Sequence, residues 1–143
     1  MTQPLTEAGL ARLGAALAQR LPRGSVVWLE GDLGAGKTTL ARALAAARGA
    51  RQGATSPTFS LVHRYEASRG PVYHVDCYRL RSPDEASELD WGAMAEADLL
   101  LIEWPERAGA WAPPPDLRIR LDYAEDGDAR VATLDPDQAV SEA

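Results

Sequence analysis

The stretch SVVWLEGDLGAGKTTL, residues 25–40, decides the architecture. Its opening residues, 25–30, form a short apolar, β-branched run bounded by turn residues, which predicts a buried strand. Residues 37–48 are rich in alanine and leucine and predict a helix, with Gly49 as its C-terminal stop. Between the two, Gly31-Asp32-Leu33-Gly34-Ala35-Gly36-Lys37-Thr38 follows the pattern G-x-x-x-x-G-K-[ST]. A phosphate chain needs several amide N–H groups turned inward. The bends that turn them leave little room for a Cβ atom, so glycines occupy them. Gly36 opens a helix whose unsatisfied amides and positive dipole end would face a phosphate. Gly34, Ala35, Gly36, Lys37, Thr38 and Thr39 are therefore the expected nucleotide-binding residues. Lys37 is expected to act as a mobile point charge toward the β and γ oxygens, and the Thr38 hydroxyl to offer magnesium a ligand. A strand running in and a helix running out supply the context this motif requires. The expected ligand is ATP with Mg2+.

The flanking sequence extends this unit into an α/β domain. Residues 6–21 carry Leu10, Leu13, Leu17 and Leu21 at helical spacing, and Pro22-Arg23-Gly24 ends that helix. Residues 58–65 and 72–76 read as two strands of a hairpin. Ser82-Pro83-Asp84-Glu85 has the form of a capping box opening a short helix that ends near Leu89. Residues 99–104, LLLIEW, are the most apolar strand and suit a sheet covered on both faces. Residues 117–123 alternate cleanly, and 130–134 are expected to pair with them across an acidic turn at 125–128. The expected fold is a P-loop NTPase-like three-layer sandwich, its central sheet mostly parallel with antiparallel strands added. One domain over 1–143 is expected, with a flexible tail from about 135.

Hydrolysis needs a carboxylate at the end of a strand beside the phosphate loop. Glu103 follows the most buried strand and is the first candidate to hold the magnesium shell or orient water. Asp76, at the end of 72–76, is the second candidate for work on metal or water. Ser56-Pro57-Thr58 is either a switch loop on the γ-phosphate side or a turn leading into a strand. Trp104 is either a packing residue or an aromatic facing the site or a partner. His63 and His74 lack companions at ligand spacing, so zinc is not expected, and Cys77 has no activating base pattern.

Composition narrows the partners. A net charge of −6 argues against direct grip on DNA or RNA, since phosphate neutralisation supplies most of such affinity. The lone cysteine excludes an internal disulfide, and no apolar run reaches the roughly 20 residues of a membrane helix. The start lacks the pattern of a signal peptide, so a cytoplasmic protein is expected. Fourteen arginines accompany a single lysine, and that lysine stands in the glycine-rich loop.

Four segments, GDLGAGKTTL (31–40), SPTFSLV (56–62), HVDCYRL (74–80) and LIEWPER (101–107), occur in the order found in the TsaE family, which the chain resembles over nearly its whole length. The resemblance implies a P-loop ATPase of bacterial tRNA threonylcarbamoyladenosine synthesis, weak on its own and working with TsaB and TsaD, with tRNA met only through the complex. It implies magnesium on Thr38 and Glu103, support of hydrolysis by Asp76, a switch-like role for Ser56-Pro57-Thr58, and a place for Trp104 in the family pattern. Two further readings stay open: a small-molecule kinase, and a nucleotide-gated binding module without essential turnover. A guanine-selective switch fits poorly, because the N-K-x-D element needs a second lysine.

Overall fold

The computed structural model describes residues 4–32, 34–51, 61–124 and 129–136. The switch-loop candidate Ser56-Pro57-Thr58, the first residues of the expected 58–65 strand, the acidic turn at 125–128 and all but the first two residues of the expected tail lie outside them.

The chain opens with β1 (Pro4–Leu5) and α1 (Glu7–Arg20). Thr6 caps α1, its hydroxyl accepting a bond from the Gly9 amide at 3.1 Å, and Glu7 complements the positive end of the helix. Strand β2 (Ser25–Gly31) leads into the glycine-rich loop, and α2 (Lys37–Ala47) leaves it. A hairpin of β3 (Val62–Tyr65) and β4 (Val72–Asp76) follows. After it come α3 (Pro83–Ala86), α4 (Trp91–Met94) and β5 (Leu99–Glu103). A 3-10 helix over Pro105–Trp111 then connects to β6 (Leu117–Tyr123) and β7 (Arg130–Asp135).

These strands form one sheet in the order β1-β7-β6-β2-β5-β4-β3. Its four inner strands, β6, β2, β5 and β4, run parallel, and β3, β7 and β1 join antiparallel at the edges. The carboxyl ends of β2, β4 and β5 therefore share one end of the sheet, where open α/β sheets bind their ligands. Alternation along β5 divides the core. Leu99 and Leu101 face α1 and α2 together with Leu17, Leu40 and Leu44. Leu100 and Ile102 face the opposite layer with Leu80, Ala86, Met94 and Ala108. Helices on both faces make the expected three layers.

One ion pair ties the layers at the end opposite the glycine-rich loop. Arg48, just past α2, pairs through Nε with Asp98 at 3.1 Å and donates to the carbonyls of Ala18, Leu21 and Pro22 at the end of α1. Both charged residues are buried, so each needs the other.

Several local expectations change. The Ser82 side chain makes no capping bond, and Glu85 instead accepts from the Arg81 amide at 3.2 Å. Helix α3 also ends at Ala86, short of Leu89. Asp135, expected in the tail, closes β7 opposite Arg118. Among the described residues no helix is long and apolar enough to cross a membrane.

Candidate functional site

The loop joining β2 to α2 requires its glycines for different reasons. Gly31 has φ +138°, and a Cβ there would lie 2.2 Å from the Leu121 carbonyl oxygen on the neighbouring strand. Gly36 caps α2 in the left-handed region at φ +103°. Both positions exclude ordinary side chains.

Lys37, the first residue of α2, is buried. Its ammonium donates to the carbonyl oxygens of Gly31 and Asp32, each at 2.7 Å, and sits 4.6 Å from the centroid of the Trp104 ring. The mobile charge expected from the sequence is thus tethered. Burial pulls its pKa below the ordinary lysine value, against the opposing charges of Glu103, Asp76, Asp32 and Glu106.

Strand alternation sets the acids. Asp76 and Glu103 are register partners on β4 and β5, and Glu103 lies on the same face as Leu99 and Leu101, toward α2. Glu103 is 3 % exposed, and both of its oxygens lie within reach of the Thr38 hydroxyl, at 3.1 and 3.3 Å. His74 Nε2 stands 2.5 Å from Glu103 Oε2. An ionised carboxylate only accepts, so this nitrogen carries the hydrogen. Burial opposes ionisation of Glu103. The His74 bond and electrostatic attraction, the Thr38 bond and the Lys37 charge outweigh it and hold the carboxyl below its ordinary value. Asp76 accepts from the Tyr78 amide at 3.0 Å, which fixes the turn after β4.

A cleft of about 240 Å³ opens where these elements meet, lined by the loop with Lys37, Thr38 and Thr39, by Asp76 and Glu103, and by the rings of Tyr78 and Trp104. Trp104 is the only non-glycine residue among those described with a positive φ, at 55°. Strain of that kind gathers at functional sites. The two rings pack with centroids 5.1 Å apart.

The sequence-predicted residues Gly34, Gly36, Lys37, Thr38, Thr39, Asp76, Glu103 and Trp104 all line this cleft, and Ala35 is buried within the loop itself. Tyr78, which also lines the cleft, and His74, which meets it only through Glu103, were not expected. The period of two along β4 puts His74 on the face of Asp76, but only the β4–β5 register, with His74 opposite Leu101, brings it to Glu103. Cys77 is fully buried, and burial with Asp76, Glu106 and Glu103 nearby pushes its thiol up to about 12. Such a thiol is inert.

Thr38 and Glu103 offer a hydroxyl and a carboxylate, hard oxygen donors of the kind magnesium takes alongside phosphate and water. The pair fits that ion by chemistry and closeness. No group of three or more His, Cys, Asp or Glu able to hold a metal occurs among the described residues, so a cage built only from side chains is not what the cleft offers.

Residues 5–132 match the family model of TsaE, the threonylcarbamoyl adenosine biosynthesis protein. The chain belongs to the TsaE family. It is 39% identical over 128 residues to the tRNA threonylcarbamoyladenosine biosynthesis protein TsaE of a Nostoc species, covering 87% of this chain and 78% of that one. With the TsaE protein of Streptomyces coelicolor it shares 40% identity over 118 residues, 80% of each. The counterpart in Haemophilus influenzae is 35% identical over 126 residues, 84% of this chain and 80% of that one. Among solved structures it is similar to Bacillus subtilis YdiB, with a TM-score of 0.61, 28% identity, and 94% and 86% of the two chains covered. The TsaE assignment places the chain in tRNA threonylcarbamoyladenosine biosynthesis and agrees with the α/β fold.

Proposed function

We propose that this TsaE-family chain is a magnesium-dependent ATPase of the cytoplasm that drives or resets a TsaB–TsaD complex during formation of threonylcarbamoyladenosine in tRNA. The observation that carries the reading is the convergence of Lys37, Thr38, Asp76 and Glu103 on one cleft at the mouth of α2. On this reading the amides that open α2 receive the phosphate oxygens, and Lys37 supplies a fixed positive charge beside them. Thr38 and Glu103 would hold magnesium, which when bound neutralises charge on the triphosphate. Asp76, one oxygen already committed to the Tyr78 amide, orients a water with the other. That water forms a bond to the γ-phosphorus as the bond to the bridging oxygen breaks, giving ADP and phosphate. Tyr78 and Trp104 wall the cleft and limit the entry of further water.

The test pairs turnover with assembly. Purified protein should hydrolyse ATP slowly and faster with TsaB–TsaD, and Lys37→Ala should remove that activity. Capture of TsaB–TsaD should differ between ATP, ADP and no nucleotide, and tRNA modification should fail with the variant. Unchanged turnover in Lys37→Ala would overturn the reading. A phosphorylated small molecule as product would redirect it to a kinase.

A further inference from the structure

The glycine-rich loop is gripped from outside by the far edge of the sheet. Arg130 on β7 donates from Nε to the Ala35 carbonyl at 3.1 Å and from Nη2 to the Gly34 carbonyl at 3.3 Å. Its Nη1 also reaches the Ala129 carbonyl at 3.5 Å. The guanidinium lies 4.1 Å from the ring centroid of Tyr123, its register partner on β6. The same ring closes on the loop, for a Cβ on Gly34 would stand 2.9 Å from the Tyr123 hydroxyl.

In a trans peptide the C=O of one residue and the N–H of the next point in opposite directions. Arg130 draws the Ala35 oxygen outward, so the Gly36 N–H is turned inward, toward the cleft. The Ala35 N–H, behind the Gly34 carbonyl, closes the loop on the Asp32 carbonyl at 3.1 Å. We propose that Arg130 is a positioning residue for phosphate binding: it sets the Ala35–Gly36 peptide plane and so presents the Gly36 amide to a polyphosphate. This rests on the reading of the loop as a phosphate site. In this role Arg130 acts through the loop carbonyls and not on the phosphates. Its fork geometry matters, because two carbonyls on successive residues are engaged by two separate nitrogens of one rigid group.

The experiment measures binding of ATP, ADP and AMP to the full chain by calorimetry, with and without magnesium, for wild type, Arg130→Met, Arg130→Lys and Lys37→Ala. Removing two bonds from a charged donor should weaken ADP and ATP about tenfold in Arg130→Met, equally with and without magnesium. AMP, which lacks the β-phosphate at the mouth of α2, should be affected little. The Gly36 amide resonance, which should shift on ADP addition to wild type, should broaden or split in the variant. A merely structural strut would lower the unfolding midpoint without dividing ADP from AMP. Wild-type ADP affinity in Arg130→Met overturns the proposal. Should that variant fail to fold, Arg130→Lys takes its place, since one ammonium cannot reproduce the fork, and wild-type affinity there overturns it equally. If Lys37→Ala binds ADP as tightly as wild type and Gly36 never responds, the phosphate-site reading itself has failed and the Arg130 proposal falls with it. Loss in Lys37→Ala with none in either Arg130 variant rejects the positioning role alone.

Discussion

His74 Nε2 and Glu103 Oε2 meet at 2.5 Å beneath the cleft, one residue on β4 and the other on β5. The imidazole bonds the same carboxylate oxygen that lies 3.1 Å from the Thr38 hydroxyl, and so fixes how that oxygen faces Thr38. His74→Phe removes that donor and leaves a buried carboxylate short of a partner, at a cost of about 1–3 kcal/mol. Urea unfolding should register the loss, and magnesium titration of ATP turnover should move to higher concentration. His74→Gln, which can place an amide N–H near the same point, should recover part of both.

The ionisation of Glu103 carries a pH signature. Its folded pKa lies below the ordinary value, so the charged form stabilises the fold. That contribution is fully present above the unfolded glutamate value, about 4.3. It is lost as pH falls through the lower folded value. In magnesium-free buffer the stability difference between wild type and Glu103→Gln should hold steady from about pH 5 to 8 and shrink below about pH 4. Chemical unfolding across that range measures it, and a difference that grows on acidification would contradict the assignment.

Gly31→Ala should be severe. The new methyl would stand 2.2 Å from the Leu121 carbonyl, and φ is +138°. Strain and displacement of β6 together should cost about 3 kcal/mol and lower the unfolding midpoint by about 10 °C. Gly24→Ala makes a matched control. It also has a positive φ but meets nothing within 4 Å, so it should cost only about 1 kcal/mol.

Arg48→Met should destabilise by about 3–5 kcal/mol, because Asp98 would remain buried without its counter-charge. Adding Asp98→Leu should recover much of that loss. Equilibrium unfolding of wild type, Arg48→Met, Asp98→Leu and the double variant gives the coupling.

Much of the site was legible because its signals are local. The strand–loop–helix around Lys37 is written in consecutive residues, and Glu103 announces itself by following the most apolar strand. Asp76 was reached by the same logic of strand ends. What escaped depends on pairing register, which no single segment encodes. His74 enters the site only because β4 lies parallel to β5 with His74 opposite Leu101. Arg130 arrives from a strand 95 residues along the chain from the carbonyl it holds. Helix α4, four residues long, is too short for a helical period to show, whereas α3 was expected from its opening and differs only in where it ends. The Ser82 capping bond failed although its sequence pattern was present. Pro83 fills the first helical position there, and Glu85 satisfies the Arg81 amide instead.

An ammonium has three hydrogens in tetrahedral array, and two of those on Lys37 go backward to the carbonyls of Gly31 and Asp32. One remains to point forward. A guanidinium is flat, with its donors in a plane, and cannot divide itself in that way at so small a post. In a chain that elsewhere favours arginine, this geometry is a reason for the exception. Because the side chain is already immobilised, little rotamer freedom remains to be surrendered when an anion arrives. The lysine behaves as part of the rigid frame, and recognition begins from an arm that is already set.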